Sequence, residues 1–207
     1  MLKAIRFATA FAVVLSVFAV FAGAQTRFDV YFGMGTASNG SSGQSIDISG
    51  AGTPITTPSL DGVFGTLGGG LMITPSLGVG AQVSFRFRQG DYAGFGYRPV
   101  FYDFNGIWTP GFGKRVVPEF QAGFGGASMR FYDPTSAYYD YNTGRYTNYA
   151  GSSNHLQLHA GAGLRFFISE HIFVRPQLDY HWVRNFTEFK SSSVPAYSIA
   201  IGYRSSQ

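Results

Sequence analysis

The chain contains no cysteine. That excludes disulfides, thiol chemistry and any cysteine-ligated metal. Charge is scarce too. Asp, Glu, Lys and Arg make up 13% of the 207 residues, against about 25% in an average globular domain. Beyond residue 24, lysine occurs only at Lys114 and Lys190. The net charge of +4 includes Lys3 and Arg6 at the start, and the rest is spread out. No nucleic-acid partner is expected from it. Past the N-terminal segment no stretch is apolar for 18 residues, which excludes a transmembrane helix.

The first 24 residues read as a secretory signal peptide. Lys3 and Arg6 give a positive start, Phe7 to Phe21 is apolar or small, and Ala22-Gly23-Ala24 is a small-x-small cleavage signal. The expected division is a signal peptide at 1–24 and one domain at 25–207, a size that suits a single fold.

What the chain does have is alternation. From Leu156 to Ile168 the even positions are apolar or small, while His155, Gln157, His159, Gly161, Gly163 and Arg165 occupy the odd ones. After Ser169-Glu170-His171 the pattern resumes. Ile172, Val174, Leu178, Tyr180 and Trp182 oppose Arg175, Gln177, Asp179 and His181. Period 2 means an extended strand with one apolar and one polar face. The same reading gives eight strands, near 27–36, 60–73, 77–88, 98–108, 115–131, 154–168, 172–184 and 194–204. A phase slip is expected at Gly125-Gly126, after which Ala127, Met129 and Phe131 would take over the apolar face.

Connections alternate between short (74–76, 109–114, 169–171) and long (37–59, 89–97, 132–153, 185–193). Each strand is long enough to cross a bilayer when tilted, which takes about 9–11 residues. The expected fold is therefore all-β: an eight-stranded antiparallel up-and-down transmembrane barrel with short periplasmic turns and long extracellular loops. The competing fold is a soluble lipocalin-type barrel. Its polar face would be outside and rich in Lys and Glu. Here that face is mostly Gly, Ser, Gln and Asn.

On the membrane reading the polar face points inward. Glu119, Arg165 and Arg175 fall at similar depth and are expected to form one interior ion network, extended by Asp179, Arg86 and Asp103. Buried charges persist only when paired and hydrogen-bonded. His155, His159 and His181 share that face with Asp179, the raw material of acid–base chemistry. No serine follows them at a suggestive spacing, and no third ligand for a metal is evident, so no catalytic residues, cofactor or metal are expected. Gly65 to Gly70 lacks the Gly-Lys-Ser/Thr of a phosphate loop. In the third long loop Tyr138, Tyr139, Tyr141, Tyr146 and Tyr149 lie among Asn, Ser and Gly. That mixture gives rigid contact area with adaptable hydrogen bonding and marks a candidate recognition surface. Trp108 and Tyr203 are expected at the periplasmic lipid interface, and Trp182 nearer the outer one.

The signal ending at Ala22-Gly23-Ala24, the opening strand Phe28 to Gly35 and the closing Tyr197-Ser198-Ile199-Ala200-Ile201-Gly202-Tyr203 resemble the OmpA-like superfamily of small outer-membrane barrels. The resemblance implies the bacterial outer membrane, lipid contact, and recognition of the last strand by the barrel-assembly machinery. Larger members carry a periplasmic peptidoglycan-binding domain, and none is expected here. The expected role is a monomeric, non-enzymatic barrel with a structural and surface-recognition function, its loops meeting an extracellular ligand or cell surface. The alternative is a narrow porin-like channel for small solutes. A lipid-modifying enzyme is the third reading and would need a catalytic pair near the outer rim.

Overall fold

The computed structural model describes residues 27–46, 55–92, 94–111, 115–141 and 144–205. The expected signal segment and Lys114 lie outside the described residues.

Eight long strands form where the alternation lies: β1 (Arg27–Ala37), β2 (Phe64–Met72), β3 (Leu77–Arg86), β4 (Phe95–Trp108), β5 (Val116–Tyr132), β6 (Tyr149–Phe167), β7 (Ile172–Val183) and β8 (Ser193–Arg204). Every neighbouring pair is antiparallel. The first strand closes on the last, from Asp29 opposite Arg204 to Ala37 opposite Ala196. Closure removes the open edges that would otherwise pair with other chains.

The outer wall is apolar. Phe28, Val30, Phe32, Leu67, Val79, Phe104, Leu158, Leu178 and Ile201 are exposed, as are Phe124 at 60% and Ile199 at 64%. A continuous apolar belt of this kind fits hydrocarbon rather than water. The lipocalin alternative fails here, because the polar face is the inner one. Trp108 and Tyr203 face outward at the end with short turns, and Trp182 faces outward towards the long-loop end.

Two expectations need correction. The strand expected from residue 60 begins only at Phe64, because Leu60 turns into the barrel mouth and is fully buried. The slip at Gly125-Gly126 does not occur. Gly125 and Gly126 sit opposite Asp103 and Tyr102 in unbroken register, and Ala127 and Met129 remain on the inner face, buried. The inner face itself changes from polar to apolar near the mouth, which alternation alone reads as a change of phase. Elsewhere β5 and β6 run past the expected ends, with Tyr132 opposite Tyr149.

The long loops carry small elements of their own. Ser45–Ile46 pairs with Ile55–Thr56, Gly90–Tyr92 pairs back on the start of β4, and Tyr138–Asp140 pairs with Arg145–Thr147. A single 3-10 turn, Thr187–Phe189, lies in the last loop.

Candidate functional site

The interior is built in three tiers, set by which odd or even positions each strand turns inward. The tier nearest the short turns is ionic. Arg204 Nε donates to Asp29 Oδ1 at 2.9 Å, and Arg165 bridges Asp29 and Glu119. Arg175 Nη1 donates to Glu119 Oε1 at 2.8 Å, and Gln121 Nε2 donates to the same oxygen at 2.7 Å. Arg175 also lies 3.5 Å over the ring of Tyr31, whose hydroxyl donates to Gln82 at 3.0 Å. All these side chains are buried. Charge-assisted pairs of this kind are strong only because each partner keeps the other satisfied.

Gly68 serves this tier. A Cβ there would overlap the Tyr31 ring, so glycine lets Tyr31 lie flat beneath the guanidinium. That close approach accounts for part of the glycine run at 65–70.

The middle tier is a histidine layer. His159 and His181 are register partners on β6 and β7, and their rings stack 4.8 Å apart. His159 Nε2 meets Asp179 Oδ1 at 2.7 Å, and its Nδ1 meets Asn105 Oδ1 at 2.9 Å. Gln157 Nε2 donates to Asp103 Oδ1 at 2.5 Å. Phe101 stacks on the other face of His181 at 5.2 Å.

The third tier is an apolar plug at the mouth. Ala37, Phe64, Tyr97, Phe101, Ala127, Met129, Val183 and Val194 come from the wall. Leu60, Phe186 and Phe189 come from the first and last long loops and are buried among them. Polar ties hold these loops down. Leu60 N donates to Asn39 Oδ1 at 2.9 Å, the Ser41 hydroxyl donates to the Phe189 carbonyl, and the Tyr97 hydroxyl donates to the Ser59 carbonyl. The left-handed Asn185 and Lys190 (φ 54° and 44°) bracket the turn that drops Phe186 and Phe189 inward.

The expected six-residue ion network is thus divided. Glu119, Arg165 and Arg175 meet in the ionic tier. Asp179 and Asp103 belong to the histidine layer. Arg86 belongs to the mouth, donating to Tyr97 Oη at 2.9 Å. Sequence reasoning missed Arg204 as a member and left Asp29 out of the cluster. Their pairing joins the two ends of the barrel, so it depends on closure. Alternation did carry a signal, since Arg204 continues the inner series Ser198, Ala200, Gly202 on β8.

Outside the barrel, the tyrosine hairpin is exposed. Tyr141 is 90% exposed and Tyr146 77%. Tyr139 packs edge-on against both, with ring centres 5.1 and 5.3 Å away. Tyr138 donates to the Tyr149 carbonyl at 3.1 Å and ties the hairpin back to β6. At the hairpin's base, hydrogen bonds from the Thr135 and Ser136 hydroxyls pull the Asp133 carboxyl down to about 2.

The chain matches the family described as outer membrane protein beta-barrel domain over residues 7–204. No curated protein matches it. The outer membrane protein OprG from Pseudomonas aeruginosa is similar at TM-score 0.54 and 14% identity, over 87% of this chain and 96% of that one. Ail, the attachment invasion locus protein of Yersinia pestis, solved with the heparin analogue sucrose octasulfate, is similar at TM-score 0.52 and 14% identity, over 87% and 99%. The N-terminal barrel domain of Pseudomonas aeruginosa OprF is similar at TM-score 0.52 and 12% identity, over 88% and 98%. At such identities the likeness is one of fold.

Proposed function

The chain belongs to the outer membrane β-barrel family and sits in the bacterial outer membrane, and from that premise we propose that it is a closed, non-enzymatic barrel whose surface loops make recognition contacts. The observation that carries this reading is the contrast at the loop end. The mouth is sealed by Leu60, Phe186 and Phe189, while just beyond it the hairpin holds tyrosines in the open. Solvated rings cost apolar exposure and contribute nothing to the core. They suit a contact surface, since tyrosine gives large area for little conformational entropy.

Ail was solved with the heparin analogue sucrose octasulfate, which supports ligand binding by a barrel of this fold. The sulfated class does not transfer. The hairpin's two charges, Asp140 and Arg145, stand opposite each other and leave the tip near neutral. A neutral, hydroxyl-rich or aromatic surface fits better. A narrow channel has one point in its favour, the polar lower interior, but the plug opposes it.

The test is a cell-binding assay with outer-membrane vesicles carrying the full protein or a 138–147 deletion. Binding should fall at least about tenfold in the deletion while heat-modifiable gel mobility stays intact. Unchanged binding by a folded deletion would remove the recognition role.

A further inference from the structure

We propose that Asp103, His159 and His181 form a binding site for a divalent transition-metal cation inside the barrel. The sequence offered two histidines and no third ligand. Closure supplies it, by bringing Asp103 of β4 across to β6 and β7. One donor atom from each of the three residues lies within 4.8 Å of the others, and all three residues are buried.

Three independent observations point to a cation. First, His181 Nδ1 is buried without a hydrogen-bond partner and faces Asp103 Oδ2 at 3.8 Å. That is too long for a hydrogen bond. It is close to the span of about 3.3 Å between two ligands bound to one metal at 2.0–2.1 Å. Second, of the layer's two carboxylates Asp179 already meets His159 at 2.7 Å, whereas Asp103 ion-pairs with no arginine or lysine among the described residues and has only His181, 3.8 Å away, as an ion-pair partner. Buried carboxylates call for a compensating charge. Third, the orienting partners are present. Whichever His159 nitrogen binds the metal, the other keeps an acceptor, Asn105 Oδ1 or Asp179 Oδ1. Gln157 holds the second oxygen of Asp103. Such outer partners fix the imidazole's orientation in metal sites.

Two imidazoles, a carboxylate and no thiolate suit zinc and its first-row neighbours rather than calcium or magnesium. Binding requires donors now up to 4.8 Å apart to close to about 3.3 Å, a shift of about 1.5 Å for the widest pair. The site lies between the plug and the ionic tier, so the metal enters as the barrel folds.

The experiment refolds the full chain from urea into micelles with Zn2+ alone, or with Co2+ as a spectroscopic probe, and then removes free metal. The expected result is one metal per folded barrel, with visible Co2+ absorption bands. Asp103→Asn and His181→Gln should each weaken retention at least about tenfold. His171→Gln, in a turn outside the layer, should retain metal fully. Heat-modifiable mobility reports folding of each variant. Metal-free wild-type barrels, or retention equal to wild type in folded Asp103→Asn, would overturn the proposal. Should His181→Gln fail to fold, the wild-type spectrum and Asp103→Asn still decide it.

Discussion

Removing Glu119 tests the interior most directly. Its Oε1 accepts from Arg175 at 2.8 Å and from Gln121 at 2.7 Å, and its Oε2 pairs with Arg165. Glu119→Ala leaves two buried guanidiniums short of a carboxylate, unequally. Arg165 keeps Asp29, which it shares with Arg204. Arg175 keeps Gln82 at 3.4 Å, the Tyr31 ring and the longer-range attraction of Asp179. Stripping one partner from a buried ion pair costs about 3–5 kcal/mol. With a urea dependence of about 1–3 kcal/mol per molar, the midpoint in micelles should fall by at least about 1 M. Adding Arg175→Met removes the stranded charge and fills its volume, so the double variant should recover about 2 kcal/mol. Neighbouring groups couple on that scale. A loss below about 1 kcal/mol, or strictly additive effects, would refute the network account. Bilayer conductance adds a second readout. Glu119→Ala should stay silent, because the plug lies at the other end of the barrel.

Other outcomes follow from the same geometry. Phe186→Ser with Phe189→Ser should open the mouth, read as faster hydrogen exchange at Val183 and Val194, while the two packed tiers below keep planar bilayers silent; unchanged exchange would remove the plug as the seal. Tyr141→Ala should leave stability within about 0.5 kcal/mol, as for exposed positions generally, yet weaken cell binding; the reverse pattern would assign Tyr141 to structure. The Asp133 carboxyl is held down at about 2 by Thr135 and Ser136, so its support for the hairpin base is fully present above the ordinary carboxylate range and lost as pH falls through about 2. Protease nicking of the loop in the intact barrel should therefore be flat from pH 7 to about pH 4 and rise only below it. A rise near pH 5 would assign the loop's order to another group.

The strands were legible because the barrel wall separates two solvents, and each residue in turn faces one or the other. Leu77–Arg86 and Ile172–Val183 fall almost where alternation puts them. Alternation failed where the inner face stops being polar. Ala127 and Met129 looked lipid-facing because they are apolar, whereas they face the plug. Leu60 looked like the start of a strand and is a stopper. Arg86 looked like a partner of Glu119 because both are charged and inward-facing, yet it lies at the loop end of β3, whereas Glu119 lies near the short-turn end of β5.

The sequence by itself determined the strand count, the faces and the apolar exterior, since these follow from a period-2 pattern along one strand at a time. It also determined two absences that matter, thiols and, past the N-terminal segment, an apolar run long enough for a membrane-spanning helix. Only the closed tertiary structure decided the partnerships. Asp29 meets Arg204 because the first strand pairs with the last. Asp103 meets His181 because the barrel is narrow enough for opposite walls to touch. Loop residues far apart in the chain meet in the mouth for the same reason. Alternation tells each side chain which way to point, and closure determines what it finds there.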